Sequence, residues 1–303
     1  MARPGTPGVS RISGTTRLAG VTGWPIGHTL SPAMHNAAYE EMGLDWLYLP
    51  LPVEHVRDLP RLTEALRVLP FVGMNVTMPY KEPVMELCDE VATVAELAGA
   101  VNTVHVTDGR LIGYNTDGRG LVEALAEDAD FTPRGARIVV LGAGGAAAAA
   151  LVAFVLEGAA SVTVVNRTLA NAERMIARLD GRTRETAICA VRPDADAREA
   201  VAGADLLVNA TPLGMRPGDD LPVPAEWLHE HLVVADMVYR PAVTPLLAEA
   251  TLAGARATGG LGMLVAQGAT SIEIWDDDER QRAPRPTMRA AASAALAARE
   301  PRA

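Results

Sequence analysis

Hydrophobic positions along the chain come in short runs whose period switches repeatedly between that of strands and that of helices. Residues 17–23, 47–51 and 71–77 read as strands, and 57–69 has helical spacing. Residues 101–106 and 110–114 predict paired strands around Asp108-Gly109, a strong hairpin signal. The loop 23–28 leads into Ser31-Pro32, where Ser31 predicts a helix N-cap and Pro32 the first helical position. Beyond Asp117 the alternation becomes regular, with strands at 137–141, 161–165, 205–209 and 233–237 and helices at 146–156 and 170–179. Such alternation implies parallel strands in a doubly wound sheet. Residues 261–275 are helical, the acidic run 276–279 predicts a solvated loop, and Ala-rich 286–298 predicts a final helix.

Residues 138–156 carry no charge over 19 positions, long enough for a membrane span. Their interior is mostly Ala and Gly, however, and Gly142, Gly144 and Gly145 interrupt a β-branched run. A strand–turn–helix unit therefore fits better than a span. Residues 1–17, rich in Gly, Pro, Ser and Thr, predict a flexible tail without the apolar stretch of a secretory signal.

The length of 303 residues suits one large or two ordinary domains, and 49% hydrophobic residues supply a core. With only 4% aromatics, that core must rest on Ala, Val and Leu. A net charge of −10 repels phosphate backbones and argues against nucleic acid as a partner. Two cysteines, Cys88 and Cys189, cannot build a disulfide framework or a cysteine zinc cluster, and the six His residues show no zinc-binding spacing. The expectation is a cytoplasmic globular protein that acts on a small molecule. Lys81 is the single lysine, although arginine is plentiful. An amine that can give up its proton is what guanidinium lacks, so Lys81 is a candidate for proton chemistry.

Gly142-Ala143-Gly144-Gly145-Ala146-Ala147 follows a predicted strand and opens a predicted helix. In that context Gly142 allows the tight turn, and Gly144 lets backbone N–H groups approach a pyrophosphate. The end of the next strand tells which dinucleotide. An NAD site places an acid there for the ribose 2′-hydroxyl, whereas this chain has Asn166-Arg167-Thr168. Arg167 can pair with a 2′-phosphate and its neighbours can donate to it, so the predicted cofactor is NADP.

Polar residues of the first part supply a base, a carboxylate and several hydrogen bonders: Thr29 and Ser31, Asn75-Val76-Thr77-Met78-Pro79-Tyr80-Lys81, Asn102, and Asn115-Thr116-Asp117-Gly118. The set suits a polyhydroxylated substrate. Together with Asn209-Ala210-Thr211-Pro212, Gly214-Met215, Asp236-Met237-Val238-Tyr239, Gly262-Met263-Leu264-Val265 and Gln267, these motifs resemble the shikimate dehydrogenase family over nearly the whole chain.

The resemblance implies an α/β protein with an N-terminal α/β substrate domain (18–117, completed by helices in 260–298) and a Rossmann-like NADP domain (118–259). The family's active site lies in the cleft between them. The implied reaction is NADPH-dependent reduction of 3-dehydroshikimate on the route to chorismate and the aromatic amino acids. By the same resemblance Lys81 and Asp117 are the catalytic pair, and Thr29, Ser31, Thr77, Asn102, Tyr239 and Gln267 bind substrate. Gly142 to Ala146 and Asn166 to Thr168 hold the cofactor, with Asn209, Thr211, Met215, Met237 and Gly260 towards the nicotinamide. Monomer and homodimer both fit.

Two departures stand out. Thr29 occupies a position where the family usually has Ser, which keeps quinate and aminoshikimate dehydrogenases open as alternatives. Ala170 and Asn171 stand where a second cation often follows the arginine of Asn-Arg-Thr, which weakens the phosphate clamp. A non-catalytic NADP-binding regulator on the same fold is the remote alternative, and the presence of both Lys81 and Asp117 speaks against it.

Overall fold

The computed structural model describes residues 12–179, 185–276 and 281–299. In chain order the elements are β1 (Arg17–Gly23), α1 (Ser31–Met42), β2 (Trp46–Pro52), α2 (Leu59–Val68), β3 (Phe71–Val76), β4 (Glu90–Val91), α3 (Thr93–Ala98), β5 (Thr103–Thr107) and β6 (Arg110–Tyr114). They continue with α4 (Asp117–Ala129), β7 (Arg137–Leu141), α5 (Gly145–Leu156), β8 (Ser161–Val165), α6 (Leu169–Ala177), β9 (Ala187–Val191), α7 (Ala195–Ala202) and β10 (Leu206–Asn209). The last are β11 (Val233–Asp236), α8 (Pro245–Leu252), β12 (Arg256–Thr258), α9 (Leu261–Trp275) and α10 (Arg285–Ala297).

The chain forms two compact units. One comprises residues 1–90, 103–113 and 269–303, the other 91–102 and 114–268, so the division falls inside α9.

The first unit is built on a six-stranded sheet in the order β2-β1-β3-β5-β6-β4. β1 runs parallel to both β2 and β3, whereas β3 and β5 are antiparallel. At the Asp108-Gly109 turn φ is 50° and 72°, the paired positive values that a two-residue hairpin requires. The loops leaving β1 and β3 are stitched together, with Thr77 N donating to Thr22 O at 2.9 Å and Trp24 N to Met78 O at 3.1 Å. Only glycine fits at 23, because a β-carbon there would stand 2.4 Å from Thr77 Cγ2. α10 packs along α1.

The second unit holds an all-parallel sheet in the order β12-β11-β10-β7-β8-β9. This is the doubly wound dinucleotide-binding order, in which the topology switches between β7 and β10. Residues 138–156 resolve into β7 and α5, and α5 is buried among β-strands and helices rather than lipid. Its alanines let α4 approach so closely that a β-carbon at Gly118 would meet Ala149 O at 2.4 Å. Among the described residues, no helix is long and apolar enough to cross a membrane.

Four expectations change. Ser31 is the first residue of α1, and the cap is Leu30, whose carbonyl accepts from Ala33 N and Met34 N. The Ser31 hydroxyl faces Thr29 instead of capping the helix. The tail expected at 1–17 does not extend to its end: Ser13, Thr15 and Thr16 donate their hydroxyls to the Asp45 carboxylate, and Arg17 opens β1. Residues 1–11 lie outside the described residues, as does most of the acidic run, positions 277–279. The helix expected at 57–69 is a 3₁₀ turn, Val56–Asp58, followed by α2. The strand expected at 71–77 stops at Val76, leaving Thr77 in the loop.

Candidate active site

In open α/β sheets, ligands bind outside the carboxyl ends of strands at a topological switch. In the first unit that place is the carboxyl end of β1, flanked by β2 on one side and β3 on the other. Thr29 and Ser31 lie on the segment after β1, and Thr77 and Lys81 on the one after β3. Thr29 Oγ1 donates to Ser31 Oγ at 3.2 Å and accepts from Ser31 N at 3.2 Å, which fixes two adjacent hydroxyls. Ser31 is buried and Thr29 half-buried. Thr77 and Lys81 are half-buried, and the turn carrying them is anchored by buried Tyr80. Tyr80 N donates to Thr77 O at 3.0 Å, and its hydroxyl donates to Val53 O at 2.8 Å.

In the second unit Asn102, Asp117 and Gln267 come together, although 165 positions separate the first from the last. Asn102 Nδ2 donates to Asp117 Oδ1 at 2.8 Å, to Thr116 Oγ1 at 2.9 Å and to Gln267 Oε1 at 3.3 Å. Asn102 Oδ1 accepts from Thr116 N at 2.8 Å, so Thr116 grips both ends of the amide. Asp117 begins α4, where the helix dipole favours a carboxylate, and its backbone N–H donates to Asn115 Oδ1 at 3.1 Å. Only glycine fits at 120 on the next turn of α4, since a β-carbon would stand 2.7 Å from Gln267 N. This contact seats α9 and Gln267 beside Asp117.

The cofactor candidates lie around the switch between β7 and β10. Gly142 has φ of 105°, and a β-carbon there would crowd Ala210 O and Thr211 Cγ2 at 3.2 Å. Gly144, exposed just before α5, would direct a β-carbon into open space. Ala143, Gly145 and Ala146 are half-buried around the same helix N-terminus, whose first N–H groups have no intrahelical acceptor. After β8, Asn166 Nδ2 donates to Thr168 O at 2.8 Å and shapes the turn. Arg167 and Thr168 are exposed. Thus the glycine loop leaves room for a phosphate, and no acid follows β8 to repel a second one. The residues fit NADP.

Asn209 behaves differently from its neighbours. It is fully buried, with Oδ1 accepting from Thr211 N at 3.0 Å and Thr211 Oγ1 at 2.6 Å. Its Nδ2 donates to Leu213 O and Asp236 Oδ1. It shapes the loop that carries half-buried Thr211 and exposed Met215. Met237 and Tyr239 are half-buried after β11. Gly260 lies against Met237 and Val238, since a β-carbon would fall 2.2 Å from Met237 O, and its N–H donates to Val238 O. Burial raises the Asp236 carboxyl above the usual range, opposed by its bonds from Thr244, Val238 and Asn209.

Sequence reasoning passed over Thr116 and Asp236 as site residues, though both stand inside quoted motifs. Their work is to hold other side chains, and a motif does not distinguish a holder from a ligand contact.

Residues 21–104 match the family described as shikimate dehydrogenase substrate binding domain, and residues 124–213 match shikimate / quinate 5-dehydrogenase. A shikimate dehydrogenase (NADP(+)) of Methanopyrus kandleri is 47% identical over 271 residues, 88% of this chain and 93% of the relative. The structure of shikimate 5-dehydrogenase from Listeria monocytogenes, in complex with shikimate and NAD, superposes with a TM-score of 0.85 at 36% identity, covering 92% of this chain and 97% of that one. The Thermus thermophilus enzyme, in complex with NADP(H) and shikimate, gives 0.82 at 36% identity over 92% and 100% of the two chains. With identity this high over most of its length, the chain belongs to the shikimate dehydrogenase family.

Proposed function

We propose that this chain is an NADP-dependent oxidoreductase that interconverts 3-dehydroshikimate and shikimate, a CH–OH/ketone couple in aromatic amino acid biosynthesis by way of chorismate. The observation that carries the reading is the buried Asn102–Asp117–Gln267 cluster, in which one amide, that of Asn102, bonds both the Asp117 carboxylate and the Gln267 side chain, a set suited to a polyhydroxylated ring. Asn102, Asp117 and Gln267 read ring hydroxyls, Thr29, Ser31 and Tyr239 hold the substrate carboxylate, and Thr77 adds a further hydroxyl. Gly142 to Ala146 receive the pyrophosphate, and Asn166, Arg167 and Thr168 the 2′-phosphate. Thr211, Met215 and Met237 line the nicotinamide side, while buried Asn209 and Gly260 act indirectly by shaping their backbone.

The bound dinucleotide supplies hydride chemistry. Lys81 stabilises the alkoxide that develops on the substrate ketone and gives it a proton, and Asp117 orients the same oxygen and the lysine. Residues 18–117 with 260–298 form the substrate half in this reading, and 118–259 the cofactor half. The protein works in the cytoplasm as a monomer or homodimer.

The test is a panel of shikimate, quinate and aminoshikimate, each with NADP and with NAD, followed by nicotinamide absorbance. Shikimate with NADP should give the highest kcat/KM. Turnover of none of the three would leave the chain a dinucleotide-binding regulator.

A further inference from the structure

α10 buries Met288, Ala292 and Leu296, spaced about one turn apart on a single face, and packs along α1. The two helices are also tied by hydrogen bonds near both ends. Thr287, at the start of α10, donates its hydroxyl to the Glu41 carboxylate at the end of α1. Arg299, just past the end of α10, donates from Nη1 to the Thr29 carbonyl, just before the start of α1, at 3.2 Å. The helices therefore run antiparallel, and the second tie brings a guanidinium to the residue that carries one hydroxyl of the Thr29–Ser31 pair. All of these residues belong to the first unit.

That bond limits how far the charge stands from the pair. The carbonyl oxygen and Oγ1 of one threonine are only a few bonds apart, so Arg299 Nη1 lies within about 8 Å of the Thr29 hydroxyl. This is about one Debye length at physiological salt, close enough for an exposed charge to be felt. A cation after α10 also complements that helix's dipole, and Arg299 N closes the last turn on Leu296 O at 3.0 Å. A cation pointing anywhere near the helix end would do as much, whereas this guanidinium reaches across to the entrance of α1. The hydroxyls of Thr29 and Ser31 carry no charge. Each can donate and accept, so the pair would bond a neutral ester as readily as a carboxylate. The chain as a whole, at −10, repels a small anion. What favours the anion at this place is the positive end of the α1 dipole and, beside it, Arg299.

We propose that Arg299 determines specificity for the charge of the substrate, drawing an anionic carboxylate to the Thr29–Ser31 hydroxyl pair. The inference rests on the reading above that this pair grips the substrate carboxylate. The division of work follows from the chemistry of the groups. The hydroxyls supply bonds of fixed direction, and Arg299 supplies a charge that its bond to the Thr29 carbonyl holds in place. The carboxylate keeps its charge while the ketone elsewhere on the ring is reduced. Arg299 therefore favours the bound ground state and the transition state equally, which lowers KM and leaves kcat alone.

Arg299→Gln removes the charge at an exposed position, and thermal unfolding should change little. At low salt it should raise KM for shikimate about two- to fivefold with kcat nearly unchanged, the scale of one partly screened charge at this distance. Near 1 M salt, where the Debye length is about 3 Å, wild type and Arg299→Gln should converge. Arg299→Lys should keep most of the wild-type affinity, and Arg299→Glu should raise KM beyond Arg299→Gln. The methyl ester of shikimate keeps the ring and loses the charge. Its inhibition constant against shikimate should be the same in wild type and Arg299→Gln. An arginine that only ties the Thr29 loop in place would, when replaced by Gln or Glu, weaken acid and ester alike at every salt concentration, and that result overturns the proposal. An unchanged KM for shikimate in Arg299→Gln and Arg299→Glu overturns it as well, while leaving the activity assignment intact. That assignment fails separately, when wild type itself turns over no shikimate.

Discussion

Asn209 and Asp236 close the adjacent parallel strands β10 and β11 in register, and Asn209 Nδ2 donates to Asp236 Oδ1 at 3.0 Å. Asp236 Oδ1 also accepts from Val238 N at 3.0 Å, and Oδ2 accepts from Thr244 Oγ1 at 2.6 Å. One carboxylate thereby joins the loop after β10 to the loop after β11 and to the start of α8. Both loops carry cofactor-side candidates.

Burial raises the Asp236 carboxyl above its usual range, which gives stability a sign with pH. The folded state holds this proton at pH values where the unfolded chain has lost it. Its contribution is complete below the unfolded value, about 4, and is lost as pH rises through the raised folded value. Asp236→Asn cannot titrate. The stability of wild type relative to Asp236→Asn, from urea unfolding at a series of pH values, should therefore decline from about pH 4 upward. A difference independent of pH would mean that Asp236 titrates normally.

Lys81→Ala should lower kcat by roughly 10²–10⁴ with little change in thermal stability, the usual scale for loss of a positioned proton donor. Lys81→Arg should not restore the rate, because guanidinium holds its proton too tightly. A rate near wild type in either variant would remove Lys81 from the chemistry.

Arg167 bears on cofactor choice. Arg167→Ala should raise KM for NADP and leave KM for NAD nearly unchanged, since only NADP presents a 2′-phosphate. Adding Asn166→Asp should move preference towards NAD. Equal losses with both cofactors would make Arg167 structural.

The parallel sheet was legible from regular strand–helix alternation, and so was the hairpin at Asp108-Gly109. Short elements at edges were not. β4 has two residues, β9 exposes Ala187 and Cys189, and β12 exposes Arg256 and Ala257, so burial does not impose alternation on them. The Asn102–Asp117–Gln267 cluster was legible as a set of motifs, but its cause was not. Gly120 and Thr116 assemble it, and their part appears only where α4 meets α9 and where the turn before α4 folds onto Asn102. Ser31 was misread as a cap because Ser-Pro carries the same local signal whether the hydroxyl turns to the helix or to Thr29.

Two glycines should behave oppositely. At Gly260 a β-carbon would fall 2.2 Å from Met237 O, and this backbone cannot step aside cheaply. Gly260→Ala should cost about 1–3 kcal/mol or more in thermal or urea unfolding. At Gly144 a β-carbon meets nothing within 4 Å. Gly144→Ala should keep its melting temperature and, if the pyrophosphate docks at the α5 N-terminus as proposed, raise KM for NADP, because the methyl would stand in its approach. A destabilised Gly144→Ala with unchanged KM would refute that placement.

The last prediction concerns substrate choice through Thr29. Its hydroxyl is fixed at both ends, donating to Ser31 Oγ and accepting from Ser31 N, each at 3.2 Å. A threonine whose oxygen is held has little freedom at χ1, so its methyl is held as well. A serine at this position would offer the same oxygen without that methyl. Shikimate and quinate share the carboxylate, but quinate adds a hydroxyl on the same ring carbon, which in the proposed binding mode falls in the neighbourhood of that methyl. Wild type should therefore prefer shikimate by kcat/KM. Thr29→Ser should relax that preference about tenfold or more, in keeping with the 1–3 kcal/mol that one methyl contributes to discrimination. The comparison needs kcat/KM for both acids in both proteins, with NADP saturating. A wild-type preference for quinate would refute the crowding argument and replace shikimate with quinate as the substrate. An unchanged ratio in Thr29→Ser would place the discrimination elsewhere in the carboxylate pocket.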